Sequence, residues 1–276
     1  MGLPMSRLES CFTCRSLRKE NAACDKPLPR ETIICDSCAE LLEKAADCRA
    51  RTKDYQILVS EWVKEQLASS GVRPRELAAD ISQIPETVRS LIPGPVRTSL
   101  TSGNIHQLRL GFGLGGPVGC GKSCAVAAVL KHGLSEWAFQ NFLEWGPDTD
   151  SFHSGGPSVF WADWPEISDY LLRHAVDSDS VDELMAKMKK ADILILDDLG
   201  KERFPAVKDP NTVPFSRAQL DICIAYRNSQ VAPIFWTTNL ELKALGEVYG
   251  PATFSRLIQD NPIEWLDGDL DNLRIR

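Results

Sequence analysis

Leu108-Arg-Leu-Gly-Phe-Gly-Leu-Gly-Gly-Pro-Val-Gly-Cys-Gly-Lys-Ser123 decides how this chain folds. Leu108 to Leu114 reads as a strand that runs into a glycine-rich loop. Cys124-Ala-Val-Ala-Ala-Val-Leu130 continues it as a helix. Strand, Gly-x4-Gly-Lys-Ser and helix, in that order, make up a phosphate-binding loop. The glycines let successive backbone N–H groups turn inward around phosphates, and the helix N-terminus adds a positive partial charge. The cradle is Gly116, Pro117, Val118, Gly119, Cys120, Gly121, Lys122 and Ser123. In such a loop Lys122 reaches the β- and γ-phosphates of a nucleoside triphosphate and the Ser123 hydroxyl ligates Mg²⁺. With glycine at about 7% of residues, a chance match in a chain of this length is on the order of one in a hundred. That argues against a glycine turn without a ligand.

Outward from the loop, buried strands alternate with helical patterns. Ser158-Val-Phe-Trp-Ala162 reads as a strand, followed by an amphipathic helix through Ile167, Tyr170, Leu171 and His174. Asp192-Ile-Leu-Ile-Leu-Asp197 is a short continuous apolar run, the pattern of a parallel strand covered on both faces. Ile222 to Tyr226 reads as helix, and Pro233-Ile-Phe-Trp-Thr237 and Ile263-Glu-Trp-Leu266 as further strands. The alternation predicts an α/β domain over 101–276, a mostly parallel five-stranded sheet with helices on both faces. The segment 133–157 carries Trp137, Phe139, Phe142 and Trp145 before a Gly/Pro/Asp-rich stretch. It reads as a helix packed on the domain followed by a loop, with a partner-binding insertion as the alternative.

Two further elements belong with the loop. Ile193-Leu-Ile-Leu-Asp197-Asp198-Leu-Gly200 ends an apolar strand on two acids. Asp197 is placed to hold the Mg²⁺ shell, and Asp198 to face the γ-phosphate and its attacking water. Trp236-Thr-Thr-Asn239-Leu puts a polar side chain at the exit of a strand, where it can hydrogen-bond water and γ-phosphate.

Together these elements resemble the AAA+ ATPases, specifically the DnaC/DnaI-type bacterial helicase loaders and the related IstB-like transposition helpers. The resemblance spans residues 108 to 276 and rests on Asp-Asp-Leu-Gly after the strand, Thr-Thr-Asn-Leu, and Tyr249-Gly-Pro-Ala-Thr-Phe-Ser-Arg256-Leu257. It implies an AAA+ core without a helical lid, with Asp198 as the catalytic base and Asn239 as sensor 1. It also implies that Arg256 is an arginine finger completing a neighbouring subunit's site, so that hydrolysis depends on assembly. Arg227 falls where loaders often carry an arginine. The chain departs from the wider pattern at Asp198, where most AAA+ proteins have Glu, and at Pro251, where the family usually has Glu. The shorter Asp198 implies slow turnover.

The first 50 residues differ in kind. Six of the nine cysteines lie there: Cys11, Cys14, Cys24, Cys35, Cys38 and Cys48. Cys11-x2-Cys14 and Cys35-x2-Cys38, 20 residues apart, have four-thiolate zinc spacing. A bound Zn²⁺, at about 10–16 kcal/mol in finger peptides, could organise a segment too small to fold on a core of its own. Cys24 and Cys48 are alternative ligands or spare thiols. A disulfide framework needs an oxidising compartment, and no apolar signal core announces one. Between the two modules, 51–100 reads as a connector. Ile57, Leu58, Trp62, Val63 and Leu67 recur at helical spacing, Gly71 stops the helix, and Pro74, Pro85, Pro93 and Pro95 punctuate the rest.

The whole chain has 276 residues, 43% of them hydrophobic and 25% charged, ordinary values for a globular protein. No apolar run is long enough to span a membrane, and a cytoplasmic location is the default expectation. A net charge of −7 argues against constitutive duplex-DNA binding by the monomer. The leading reading is a helicase loader that uses ATP, Mg²⁺ and Zn²⁺. Its partners are a replicative helicase and single-stranded DNA, and it forms an ATP-dependent homo-oligomer. The alternatives are a transposition helper assembling on duplex DNA, and a zinc-module adaptor whose ATP site is only a switch.

Overall fold

The computed structural model describes residues 56–145, 156–202 and 213–266. Cys11, Cys14, Cys24, Cys35, Cys38 and Cys48 lie outside the described residues. The chain divides into two compact units, Met1–Leu58 and Val59–Arg276.

A helix over 56–69 (α1) opens the described part. Val59, Trp62, Val63 and Leu67 are its buried stripe, the spacing expected from the sequence. Pro74–Leu77 (α2), Glu86–Leu91 (α3) and Gly94–Thr101 (α4) follow, with a 3₁₀ turn at Ile81–Gln83 before α3. The prolines start these helices. Pro74 is the first residue of α2, Pro85 and Pro93 are N-caps, and Pro95 is in the first turn of α4. Val72, Ala79, Ile84, Val88, Ile92, Val96 and Leu100 are all buried, an apolar residue about every fourth position. Of the stretch 51–100, expected as a connector with one or two short helices, residues 59–100 therefore carry more helix and pack in the same unit as the P-loop.

The strand Phe112–Gly115 (β1) leads through the glycine loop into Lys122–Trp145 (α5), on which α2 and α4 pack. Gly133 lies inside α5 without ending it, because α4 approaches there. A Cβ at 133 would sit 2.5 Å from Leu100 Cδ2. Trp137 is buried and stacks on Trp62 with ring centroids 5.4 Å apart, so this aromatic serves packing.

Val159–Asp163 (β2), Trp164–Arg173 (α6), Ser178–Lys190 (α7), Ile193–Leu199 (β3), Phe215–Ser229 (α8), Ile234–Thr238 (β4), Leu242–Tyr249 (α9), Pro251–Gln259 (α10) and Ile263–Trp265 (β5) complete the described part. The sheet is parallel throughout, in the order β2-β3-β4-β1-β5. Leu194 and Leu196 face a core built with Trp164, Leu171, Met185, Leu220, Ile224 and Trp236. Ile193 and Ile195 are equally buried and project to the opposite face. Both faces are covered, which explains the unbroken apolar run. The helices α7, α9 and α10 were not delimited from the sequence. Pro251 opens α10, where its missing N–H costs nothing.

Candidate nucleotide-binding site

The site forms at the carboxyl ends of β1, β3 and β4, three adjacent strands. Gly116, Gly119 and Gly121 take φ values of +147°, +87° and +86°, which L side chains rarely adopt. The loop they form carries the chain from β1 into α5. Lys122, the first residue of α5, folds its side chain back and is only 5% exposed. Its Nζ donates to Gly116 O at 2.8 Å, Pro117 O at 2.9 Å and Asn239 Oδ1 at 2.6 Å, and lies 3.6 Å from Cys120 Sγ. Burial pulls the Lys122 ammonium below its usual pKa, while Cys120 and the charge of Asp198 act the other way. Asn239 arrives from β4, whose Thr238 is in register with Gly115 of β1.

The two acids of β3 are held differently. Asp197 is 1% exposed, and accepts from Ser123 Oγ at 2.7 Å and from Thr237 Oγ1 at 2.6 Å. Burial raises its pKa above the usual carboxylate value, and the two hydroxyls oppose that rise. Asp198 sits at φ +61°, where the β3–β4 register shifts between Leu196 and Leu199. Such a bulge turns the strand so that consecutive side chains no longer simply alternate. The Asp198 N–H donates to Thr237 Oγ1 at 2.9 Å, and its carboxylate pairs with Lys201 Nζ at 2.7 Å. One hydroxyl, Thr237, thus fixes both acids. Beyond them, Gly200 N–H reaches Tyr249 Oη at 2.8 Å, and Tyr249 donates to Glu202. The end of β3 is in this way tied to the end of α9.

The cleft over the loop has a volume of about 220 Å³. Arg73, Arg75, Lys122 and Lys201 line it, against the carboxylates of Glu76 and Asp198. A chain of net charge −7 thus concentrates cations where phosphates belong. The donor set suits Mg²⁺, since Ser123 and Asp197 offer adjacent hard oxygens. Asn239 Nδ2 is buried without a partner, as expected of a group that waits for a ligand oxygen. Residues and nucleotide therefore fit. A larger groove of about 470 Å³ lies between α6 and α7. Its two cations are already paired, Arg173 with Asp169 and Lys187 with Glu183.

The other residues singled out from the sequence go elsewhere. Arg256 on α10 pairs with Asp221 of α8 at 2.9 Å, is 43% exposed, and does not line the cleft of its own chain. Arg227 is fully buried and donates to the carbonyls of Met188, Lys189, Ala191, Asp192 and Pro233. It staples the end of α7 to the starts of β3 and β4, and burial lowers its pKa to about 10. Its role is structural. Among the described residues no group of three or more His, Cys, Asp or Glu side chains is placed to hold a metal ion. Sequence reasoning missed Thr237, Lys201 and the α2 residues Arg75 and Glu76. Lys201, two positions past Leu199, was within reach of the acid-pair reading. The α2 residues carried no local signal.

No family model matches the sequence, and neither does any curated protein. Among solved structures, the crystal structure of the DnaC helicase loader matches at 18% identity and a TM-score of 0.51, over 70% of this chain and 99% of that one. DnaI matches at 20% identity and 0.46, over 71% and 92%. Domain III of the Thermotoga maritima replication initiation protein DnaA matches at 16% and 0.40, over 70% and 68%. The first likeness shows the fold alone, an α/β architecture shared with that protein.

Proposed function

We propose that this chain is an ATPase of the helicase-loader type, which binds ATP and Mg²⁺ on the P-loop and delivers a hexameric replicative helicase to single-stranded DNA. The observation that carries this reading is the convergence of Lys122, Ser123, Asp198 and Asn239, from three strand ends, on one cation-lined cleft, with Asp197 hydrogen-bonded to Ser123. The fold of the DnaC helicase loader over nearly the whole of that protein supports the choice of function. Bound Mg²⁺ would supply positive charge that offsets the negative charge developing on the phosphates. Lys122 exchanges its carbonyl partners for phosphate oxygens, and the loop N–H groups hold the triphosphate in place. Asp197 and Ser123 would hold the Mg²⁺. Asp198 takes a hydrogen bond from the attacking water, and Asn239 steadies that water against the γ-phosphate. Lys201 occupies Oδ2 of Asp198 and leaves Oδ1 to take that hydrogen bond, and the shorter reach of Asp against Glu favours slow turnover. Arg256 completes the site of a neighbouring copy in an ATP-dependent homo-oligomer. Cys11, Cys14, Cys35 and Cys38 hold one Zn²⁺ in an N-terminal module that docks the helicase.

The test has two arms. Phosphate release from ATP is measured on the full chain and on Lys122→Ala, which should abolish it. Co-purification with a replicative helicase is then measured alongside the zinc content of the chain. Release that survives Lys122→Ala sinks the site assignment, and ATP-dependent filaments on duplex DNA without helicase capture replace the loader by a transposition helper. Less than one zinc per chain after metal-replete purification removes the zinc module.

A further inference from the structure

One wall of the nucleotide cleft comes from α2, far from the P-loop in sequence. Four contacts hold it in place. Ser70 O accepts from Trp161 N of β2 at 2.8 Å, and Arg73 pairs with Asp163 at the end of β2. Lys131 of α5 donates to Leu77 O at 3.4 Å and Ala79 O at 3.3 Å. The wall is therefore fixed to β2 and α5 before any ligand arrives.

On this wall stands Glu76. It lines the cleft, is only 6% exposed, and its Oε2 has no hydrogen-bond partner. A buried carboxylate oxygen left without a donor is costly, and such a group persists where a ligand supplies the donor. Phosphate cannot be that ligand, because it offers only acceptors and negative charge. Glu76 also lies beside Cys124, whose thiol is raised by burial and further by the Glu76 charge. Cys124 follows Ser123 into α5 and lines the same cleft. Within ATP itself, N–H and O–H donors belong only to the nucleoside half.

The geometry points to Glu76 as a nucleoside-recognition residue, its carboxylate accepting a hydrogen bond from an N–H or O–H group of the bound nucleotide. The inference rests on the ATP reading above and deepens it. Two groups of ATP have this chemistry, the ribose hydroxyls and the 6-amino group of the base. Arg75, the residue before Glu76, lines the same cleft and offsets its repulsion of the phosphates.

The experiment measures equilibrium binding to the full-length chain of ATP, 2′-deoxy-ATP, 3′-deoxy-ATP and purine riboside triphosphate, which lacks the 6-amino group. The wild type should bind at least one of the donor-deficient analogues about tenfold or more weakly than ATP, the size expected for a hydrogen bond to a charged acceptor. The analogue that suffers identifies the donor. In Glu76→Leu, which has no acceptor, that ratio should fall to within about twofold of unity. Equal binding of all four by the wild type overturns the proposal without any variant, as does discrimination that survives in Glu76→Leu. If Glu76→Leu does not fold, Glu76→Asp, which withdraws the carboxylate by one methylene, must weaken the same discrimination. Failure of the wild type to bind ATP at all refutes the nucleotide reading itself, a distinct result.

Discussion

Thr237→Val removes one hydroxyl and leaves the shape of the side chain nearly unchanged. Thr237 is fully buried, donates to Asp197 at 2.6 Å and accepts from the Asp198 N–H at 2.9 Å. Losing a hydrogen bond to a charged partner costs about 1.5–3 kcal/mol, and leaving a buried N–H unpaired costs about 1–3 kcal/mol. The two losses share one site and do not fully add, so the expected destabilisation is about 3 kcal/mol at neutral pH. For a unit of this size that corresponds to a fall in Tm of about 6–12 °C. The pH dependence follows from Asp197. Burial already raises its folded-state pKa above the unfolded one, and the Thr237 hydroxyl opposes the rise. Without that hydroxyl the folded pKa climbs further. A carboxyl whose folded pKa is raised costs stability once it ionises, so the cost is absent below the unfolded pKa, grows as pH rises from there to the folded one, and is fully present above it. The variant's deficit should therefore be largest near neutral pH and shrink toward about pH 4. Urea denaturation followed by the fluorescence of the buried Trp161, Trp164 and Trp236 reads both quantities. Thr237→Ser, which restores the hydroxyl, should recover most of the loss. A deficit under about 0.5 kcal/mol, or one undiminished in acid, would refute the account of how the acids are held.

Arg256→Ala should leave ATP affinity unchanged in the isolated chain and lower assembly-stimulated hydrolysis by about 10³-fold or more. An equal loss of nucleotide affinity in the monomer would contradict action on a neighbouring copy. Arg227→Met leaves five buried or partly buried carbonyls without their donor, and should destabilise the fold by about 3–5 kcal/mol with little effect on the ATP affinity of the folded fraction. Denaturation and nucleotide titration measured side by side separate this outcome from a catalytic role.

The P-loop, the acid pair and the five strands were legible because each is written in consecutive residues. Gly116 to Ser123 must supply glycines at set positions to turn the backbone, and Ile193 to Leu196 must be apolar because both faces of β3 are covered. Arg227 was open to misreading for the opposite reason. A buried guanidinium that caps five carbonyls looks, in one dimension, like any arginine near the end of a helix. Pro74, Pro85, Pro93 and Pro95 likewise suggested a broken connector. A proline that interrupts a helix and one that starts it differ only in what the next turn packs against, here α5.

By itself, then, the sequence determined where the glycine loop turns, which acids end the strand beside it, and that the sheet is parallel and doubly covered. Those follow from local stereochemistry and from the periodicity of burial. Only the tertiary structure decided that Thr237 governs both acids, that Lys201 restrains Asp198, and that Glu76 reaches the cleft from a turn some 46 positions before Lys122. Each of these depends on a contact between segments remote in the chain, and such contacts exist only after the backbone has folded them together.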